Sequence, residues 1–173
     1  KNADYKVFIE NALKNTDTRI KKGLSVTPMF LLGVFLWGPI KQRAIHLRES
    51  KNMSAIQSLI VASHELIIIQ QSRIAIPRRY TIPMREMLVM QPRFKKTRGK
   101  RALSLLDQKR FRAAYDFMLL RAESEDFDTG LAKFWTEVQG KSFSDRQKIF
   151  AIKNHQRSGR SRHPRRRRQN NNG

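Results

Sequence analysis

Hydrophobic side chains recur along this chain at spacings of three and four residues, which is the period of an amphipathic α-helix. The first such stretch covers residues 4–21, and its apolar stripe is formed by Tyr5, Phe8, Ile9, Ala12 and Leu13. We expect Gly23 to end this helix. No run of useful length alternates apolar and polar residues, so the pattern predicts helices and no sheet.

The second predicted helix begins at Thr27-Pro28, because the threonine hydroxyl can cap a helix and proline has a φ suited to the first turn. It should run to about Glu49 and be bent or broken at Gly38-Pro39, because proline lacks the N–H that the helical turn requires. Its apolar stretch, residues 26–40, is shorter than the roughly 20 residues that cross a bilayer. We therefore expect a buried core helix.

A third helix is predicted over residues 53–74. Most of its positions are apolar, and its more polar side is marked by Gln57, His64 and Gln71. We expect it to be the central helix of the fold. After a connector, Thr81 is expected to cap a short helix that ends near Met90.

The last predicted helices follow the basic middle of the chain. Residues 98–108 and 109–123 should form a helical pair, and residues 133–138 should form a short last helix. The second helix of the pair has a/d-like apolar spacing, typical of a buried stripe. That stripe consists of Phe111, Ala114, Tyr115, Met118, Leu119 and Ala122.

Together these elements predict an all-α fold, a compact bundle of about six to seven helices, over residues 1–150. The remaining residues, 151–173, include the sequence SGRSRHPRRRRQNNNG, which contains no aliphatic or aromatic side chain to bury. Such a segment cannot offset the entropy lost when a chain becomes ordered. We therefore expect residues 151–173 to be a flexible, disordered basic tail.

Charge is the most unusual property of the composition. Thirty-six Lys and Arg against fourteen Asp and Glu give a net charge of +22, and the pI is about 11.3. Residues 73–112 carry a net +11 and residues 151–173 a net +8, so the charge is concentrated in two segments. This distribution is typical of proteins that bind a polyanion. The chain has no cysteine, which excludes disulfides and thiolate metal sites.

The densest basic run is RFKKTRGKR at residues 93–101, in which six side chains are cationic. Arginine has forked donors that match phosphate oxygens, and lysine supplies a point charge. Tyr80 lies beside Arg78 and Arg79, and Phe94 lies between Arg93 and Lys95, so both rings could stack on unpaired bases. Arg112 is also expected to pair with Asp116 one helical turn later. The predicted RNA-binding residues are Arg78, Arg79, Tyr80, Arg85, Arg93, Phe94, Lys95, Lys96, Arg98, Lys100, Arg101, Arg110, Arg112 and, in the tail, Arg165, Arg166, Arg167 and Arg168.

Two motifs are similar to metal or catalytic sites, but each departs from the required pattern. The sequence HELII has Ile68 where a zinc-protease helix needs its second histidine. Asp126 and Asp128 flank one residue, as the metal-binding carboxylates of nucleotidyl transfer do, but Thr129-Gly130 follows them and indicates a turn between helices. We therefore predict an acidic inter-helix loop there, with no catalytic and no metal-binding residue in this chain.

Three segments resemble bacterial poly(A) polymerases, class II nucleotidyltransferases whose chain ends in an arginine-rich domain. They are FIENALKNTDTRI at 8–20, IAIPRRYTIPMREML at 74–88 and RGKRALSLLDQKRFRAAYDFMLLRAE at 98–123. The similarity extends from about Tyr5 to Val138, and the family has an aromatic pair similar to Phe134-Trp135. The resemblance carries over only the basic positions in these segments, Arg78, Arg79, Arg85, Arg98, Lys100, Arg101, Arg110 and Arg112.

The resemblance implies an RNA-binding C-terminal domain that serves mRNA polyadenylation by holding RNA while AMP from ATP is added to its 3′ end without a template. In the family, the catalytic residues lie in an N-terminal head that is followed by a neck, and neither has a counterpart in this sequence. This chain is therefore expected to be inactive alone and to need no cofactor, whereas Mg²⁺ and ATP serve the parent enzyme. The implied partners are sequence-tolerant single-stranded RNA 3′ ends and the head and neck, in the cytoplasm.

Other functions are also compatible with the sequence. The body of a CCA-adding tRNA nucleotidyltransferase would prefer folded tRNA over an unstructured strand. A stand-alone helical nucleic-acid-binding protein would need no catalytic partner. Anionic lipids could attract the basic tail, since they satisfy the same charges, but a membrane surface is not the partner we expect.

Overall fold

The computed structural model describes residues 2–151, with side chains from residue 5 onward, and this part of the chain forms eight α-helices, one 3-10 helix and no strand. The all-α fold predicted from the sequence is therefore confirmed. The 3-10 helix is Gln91–Lys95. The α-helices are α1 (Asn2–Lys21), α2 (Pro28–Lys51), α3 (Ala55–Gln71), α4 (Arg78–Met90), α5 (Lys100–Leu103), α6 (Phe111–Glu123), α7 (Thr129–Gln139) and α8 (Phe143–Ile149).

Two helices organise the bundle. Helix α2 packs against α1, α3 and α4, and helix α6 packs against α1, α4 and α7. Phe117 on α6 is fully buried, and three rings meet it edge to face at centroid distances of 5.5, 5.8 and 5.5 Å, those of Phe8, Phe30 and Trp37. Such aromatic pairs contribute about 0.5–1.5 kcal/mol each beyond the area that they bury. Phe117 therefore joins α1 and α2 to α6.

A second aromatic cluster surrounds Trp135 on α7. This fully buried indole contacts Phe94 on the 3-10 helix, Phe111 on α6 and Phe150 at the end of α8, with centroid distances of 5.2, 6.2 and 5.9 Å. Its Nε1 donates a hydrogen bond of 2.7 Å to the main-chain carbonyl of Phe94. The cluster therefore fixes the backbone of the 3-10 helix, where the most basic stretch of the sequence begins.

Helix α2 continues through Pro39, so the break that we considered at Gly38-Pro39 does not occur. Pro39 has no N–H to donate to the carbonyl of Phe35 one turn earlier. The hydroxyl of Tyr5 on α1 donates to that carbonyl instead, over 2.5 Å. The Tyr5 ring lies against Gly38, where an added Cβ would come within 2.8 Å of it. Packing of α1 thus supplies the donor that proline removes.

The predicted helix ends are confirmed in position but not in every contact. Gly23 follows the end of α1 with a φ of 70°. Thr27 occupies the N-cap position of α2, but its side chain makes no capping hydrogen bond. A capping box that was not predicted begins α3, because the Ser54 hydroxyl accepts from the backbone N–H of Gln57 and the Gln57 side chain accepts from that of Ser54.

Helices α3 and α4 differ from their predictions. Helix α3 is not central, because it packs mainly against α2 and α4 and leaves three isoleucines 40–52% exposed, Ile60, Ile68 and Ile69. Thr81 caps no helix. It is buried inside α4, which already begins at Arg78 after Pro77.

The C-terminal helices also differ from the prediction. Residues 98–108 contain only the four-residue α5, followed by turns, and α7 is longer than the predicted helix at 133–138. Helix α8 was not predicted from the sequence. None of the seven residues of α8 is buried, so no apolar stripe indicated it. The predicted stripe of α6 is confirmed, although Leu119 is only half-buried.

Candidate nucleic-acid interface

Eight exposed cations lie between the start of α4 and the end of α5, and we call this set the basic surface. Its members occupy the first turn of α4, the 3-10 helix, the loop after it and α5, and they are Arg78, Arg79, Arg93, Lys95, Lys96, Arg98, Lys100 and Arg101. Arg85, also on α4, is half-buried, and its buried Nε has no hydrogen-bond partner in the described part of the chain.

Two other cations of the predicted RNA-binding set are already paired with carboxylates. The Nε of Arg110 lies 3.0 Å from a carboxylate oxygen of Glu86, and Arg112 lies 3.1 Å from Asp116, as predicted. Within residues 5–151, by contrast, no carboxylate oxygen lies within 4.0 Å of a charged nitrogen of the basic surface. Its positive charge is therefore left for an external anion to neutralise.

Gly99 shapes the most basic part of this surface. Its backbone has φ 84° and ψ 170°, a conformation that is essentially restricted to glycine. The turn lies between Arg98 and Lys100, and the Gly99 N–H donates a hydrogen bond of 2.9 Å to the carbonyl of Phe150. The end of α8 therefore anchors the loop that displays these cations.

Phe94 does not belong to the interface, and its prediction as a base-stacking residue is wrong. Its side chain is 0% exposed, and its ring lies among those of Trp135 and Phe111. Phe94 alternates with cations in the sequence because its inward-facing ring anchors the segment in the core, while the neighbouring charged side chains face outward. The burial of apolar area at this position stabilises the fold rather than a complex.

Tyr80 remains accessible. It is half-buried against the core on α4, and the guanidinium of Arg79 lies 5.0 Å from its ring centroid. A cation over one part of the ring contributes about 0.5–1 kcal/mol at an exposed site. Tyr80 is thus the predicted aromatic residue that the structure keeps next to exposed cations.

A buried polar network supports the turn from α4 into the 3-10 helix. Arg121 on α6 donates to the carboxylate of Asp126 over 2.8 Å and to the side chain of Gln91 over 3.1 Å. Gln91 in turn donates to the carbonyl of Ala114 over 3.0 Å. The Arg121 guanidinium also lies 4.6 Å from the ring centroid of Trp37. This single side chain therefore ties α2, α6 and the 3-10 helix together.

The network keeps both of its charges. Burial alone would raise the pKa of Asp126, but the charge of Arg121 and hydrogen bonds from Lys41, Arg121 and Trp37 outweigh it and hold this pKa below its usual value. Burial lowers the pKa of Arg121. The guanidinium nevertheless stays charged at neutral pH, because the charge and the hydrogen bond of Asp126 raise its pKa again and arginine loses its proton only in strong base.

Asp126 and Asp128 lie in the loop between α6 and α7, as predicted, and they have different structural roles. Asp126 accepts hydrogen bonds from Trp37, Lys41 and Arg121. Asp128 caps α7 by accepting from the N–H of Leu131 over 2.7 Å. No group of three or more His, Asp or Glu side chains in the described residues is placed to hold a metal ion.

The structure also assembles a cationic groove that the sequence did not indicate. The groove has a volume of about 540 Å³ and lies between α1, the start of α2 and α6. Arg19 of α1 lines it together with Lys109, Arg110 and Arg112. Arg110 and Arg112 belong to the predicted set, whereas Arg19 and Lys109 do not. Arg19 lies far away in the sequence, and no local pattern links it to the basic segment.

Two further predictions concern the basic tail and the absence of a membrane-crossing helix. The predicted RNA-binding residues Arg165, Arg166, Arg167 and Arg168, and the predicted disordered tail, lie outside the described residues. Among helices that the structure describes, none combines the length and apolar character needed to cross a bilayer.

The fold and the surface charge define a helical domain that carries eight exposed cations between the start of α4 and the end of α5. A family model, the polymerase A arginine-rich C-terminus, matches residues 51–171. This chain belongs to that family. The match covers the basic surface and all of α3–α8, and it agrees with the resemblance found in the sequence.

Individual relatives are poly(A) polymerases. The chain is 36% identical over 134 residues to poly(A) polymerase I of Escherichia coli O157:H7, a match that covers 76% of this chain and 29% of that protein. It is 32% identical over 134 residues to the enzyme of Salmonella typhi, with the same coverage, and 29% identical over 144 residues to that of Haemophilus influenzae, covering 83% of this chain and 32% of the relative. The chain thus spans about a third of the length of these relatives, whose names favour the poly(A) polymerase interpretation over the CCA-adding one.

Proposed function

We propose that this domain binds single-stranded RNA through the basic surface and Tyr80, as the RNA-holding part of a poly(A) polymerase. The observation that carries the proposal is the set of eight exposed cations without a carboxylate partner in the described residues. Phosphate contacts of this kind position a strand without reading its sequence. Such binding suits an enzyme that must accept many different 3′ ends.

The catalytic step belongs, in this proposal, to a head and neck that lie outside this chain. The head adds AMP from ATP to the RNA 3′ end with Mg²⁺, in the cytoplasm, while the basic surface and the basic tail keep the RNA in place. The support for this division is the family to which the chain belongs and the share of its relatives that it spans. The chain alone should not lengthen an RNA primer when ATP and Mg²⁺ are added, and lengthening would overturn the division.

A salt titration tests RNA binding directly. We expect the affinity of the chain for a fluorescein-labelled single-stranded RNA, measured by fluorescence anisotropy, to fall as salt rises. If about six phosphates are contacted, log affinity should fall against log salt with a slope of about −4, since each single-strand contact contributes about 0.7. A flat titration, or no binding at low salt, would refute the proposal.

A charge-matched pair of variants locates the contacts. Replacing Arg98, Lys100 and Arg101 with Ala should weaken binding to all RNA sequences to a similar extent and reduce the slope by about 2. The control replaces three exposed cations outside the basic surface, Arg48, Lys51 and Lys133. Equal losses in the two variants would mean that net charge, and not this surface, carries the affinity. A loss for one RNA sequence alone would indicate base readout instead.

A further inference from the structure

The cationic groove between α1 and α6 has the size and the chemistry of a ligand site. Its volume of about 540 Å³ lies in the usual range for small-molecule pockets, roughly 300–1,000 Å³. One part of its wall is apolar and contains Met29, Phe30 and Leu119. Hydroxyl and amide side chains line another part, among them Asn15 and Thr16. A ligand that combines an apolar part with polar edges therefore matches this lining.

The charges of the groove favour an anion at one place and disfavour it at another. Arg19 donates to the carbonyl of Ser25 over 3.2 Å, and neither Arg19 nor Lys109 has a carboxylate partner in the described residues. The carboxylate of Asp116 lies in the groove beside Arg112, and burial raises the pKa of this carboxyl. The charge of Arg19 acts against this rise in the pKa of Asp116.

Glu123 is the second carboxylate of the lining, and it accepts a hydrogen bond of 3.5 Å from the side-chain amide of Asn15. Arg19 and Lys109 are therefore the groove cations left for a phosphate, and the Asp116 carboxylate can accept a hydrogen bond from the amino group of a base.

One lining residue links the groove to helix α4, whose first turn carries two members of the basic surface. Arg110 lines the groove, and its guanidinium is bonded to Glu86 on α4. Helix α4 also carries Arg78 and Arg79 in its first turn. A strand held on the basic surface therefore has a second cationic site available on the same domain.

We propose that the groove between α1 and α6 binds one unpaired nucleotide of the RNA strand, with its phosphate on Arg19 and Lys109 and its base against Phe30 and Leu119. This inference rests on the proposed RNA binding and adds a specific subsite to it. It assigns a role to Arg19, which lies outside the basic segment of the sequence, and it makes the RNA path longer than the basic surface alone.

The test compares two double variants of the whole chain. Replacing Arg19 and Lys109 with Ala should lower RNA affinity roughly 20-fold at about 0.1 M salt and reduce the salt slope by about 1.4, because two phosphate contacts are lost. The control replaces Arg48 and Lys133 with Ala and removes the same charge from exposed positions that do not line the groove. All four side chains are exposed, so thermal melting should leave both variants close to the parent.

Crosslinking supplies a second readout. An RNA of ten uridines, one of them replaced by 4-thiouridine, is bound to the protein. The complex is irradiated, and the crosslinked residues are mapped by mass spectrometry. We expect adducts on groove residues such as Phe30 in the parent and in the control. These adducts should be absent from the variant in which Arg19 and Lys109 are replaced with Ala. If that variant binds as tightly as the control and no adduct maps to the groove, the inference is wrong, while RNA binding by the basic surface stands. If the parent itself binds no RNA at low salt, the proposed function fails first.

Discussion

The hydroxyl of Tyr5 donates a hydrogen bond of 2.5 Å to the carbonyl of Phe35, the carbonyl that Pro39 leaves without a helical donor. The same hydroxyl lies 3.2 Å from the carbonyl of Val34. Burial raises the pKa of Tyr5, so the hydroxyl stays protonated and able to donate at neutral pH. A side chain from α1 thus completes the hydrogen bonding of α2 and fixes how the two helices pack.

Replacing Tyr5 with Phe should lower the free energy of unfolding by about 1 kcal/mol, since one hydrogen bond is lost while the ring remains. In a Pro39→Ala background, the new N–H of residue 39 can bond the Phe35 carbonyl. The Tyr5→Phe change should then have a smaller effect, and urea unfolding of the four proteins of this cycle measures the coupling. Equal effects in both backgrounds would show that the Tyr5 hydroxyl does not compensate for the N–H that Pro39 lacks.

Gly99→Ala should destabilise the domain by about 1–3 kcal/mol, because the backbone conformation at this position is strained for any residue with a Cβ. The added Cβ itself meets no atom within 4 Å, so the backbone alone causes the loss. Gly140→Ala is the matched control, since Gly140 has a φ of −82° and its Cβ would make an ordinary contact of 3.8 Å. Urea unfolding should give a lower free energy of unfolding for Gly99→Ala than for Gly140→Ala. Equal stabilities would show that the backbone conformation at position 99 does not require glycine.

The Arg121–Asp126 pair should make the free energy of unfolding depend on pH in the acidic range. The folded pKa of Asp126 lies below its unfolded value of about 3.9, so its contribution is present above that pH and is lost as the pH falls through the folded pKa. Asp126→Asn leaves the Arg121 charge buried without a counter-ion and should remove about 3–5 kcal/mol at pH 7. Relative to the parent, this difference should be unchanged when urea unfolding is repeated at pH 5 and should shrink at pH 3, below the unfolded pKa.

Asp128→Asn is the control for this experiment. Asp128 lies in the same loop, and asparagine caps a helix about as well as aspartate does. We therefore expect the Asp128 variant to keep the stability and the pH dependence of the parent. A constant difference between the Asp126 variant and the parent from pH 7 to pH 3 would show that titration of Asp126 does not contribute.

Tyr80→Ala should weaken RNA binding, by about 1–3 kcal/mol if one base stacks on the ring. Tyr80→Phe keeps the ring and should bind RNA like the parent. Inorganic polyphosphate has charge but no bases, so its affinity should be unchanged in both variants. A similar loss of polyphosphate affinity in Tyr80→Ala would show that the ring supports the neighbouring cations rather than a base, and thermal melting checks that the fold is retained.

Two predictions on α6 that rest on local sequence spacing are confirmed. The stripe of Phe111, Ala114 and Tyr115 on α6 is buried as its spacing indicated, and the Arg112–Asp116 pair forms one helical turn apart. Helix α8 was not predicted because none of its residues is buried, so its sequence has no apolar periodicity. Phe94 was misassigned because neighbouring charges in the sequence give no information about the direction in which one ring points.

The amino-acid sequence by itself determined the helical class and the concentration of positive charge, because periodicity and composition are properties of short segments. Only the tertiary structure decided that Phe94 is core while Tyr80 stays accessible, that Tyr5 bonds the carbonyl left free by Pro39, and that Arg19 lies in one groove with Lys109. These outcomes depend on contacts between distant parts of the chain, which form only when whole helices pack against one another.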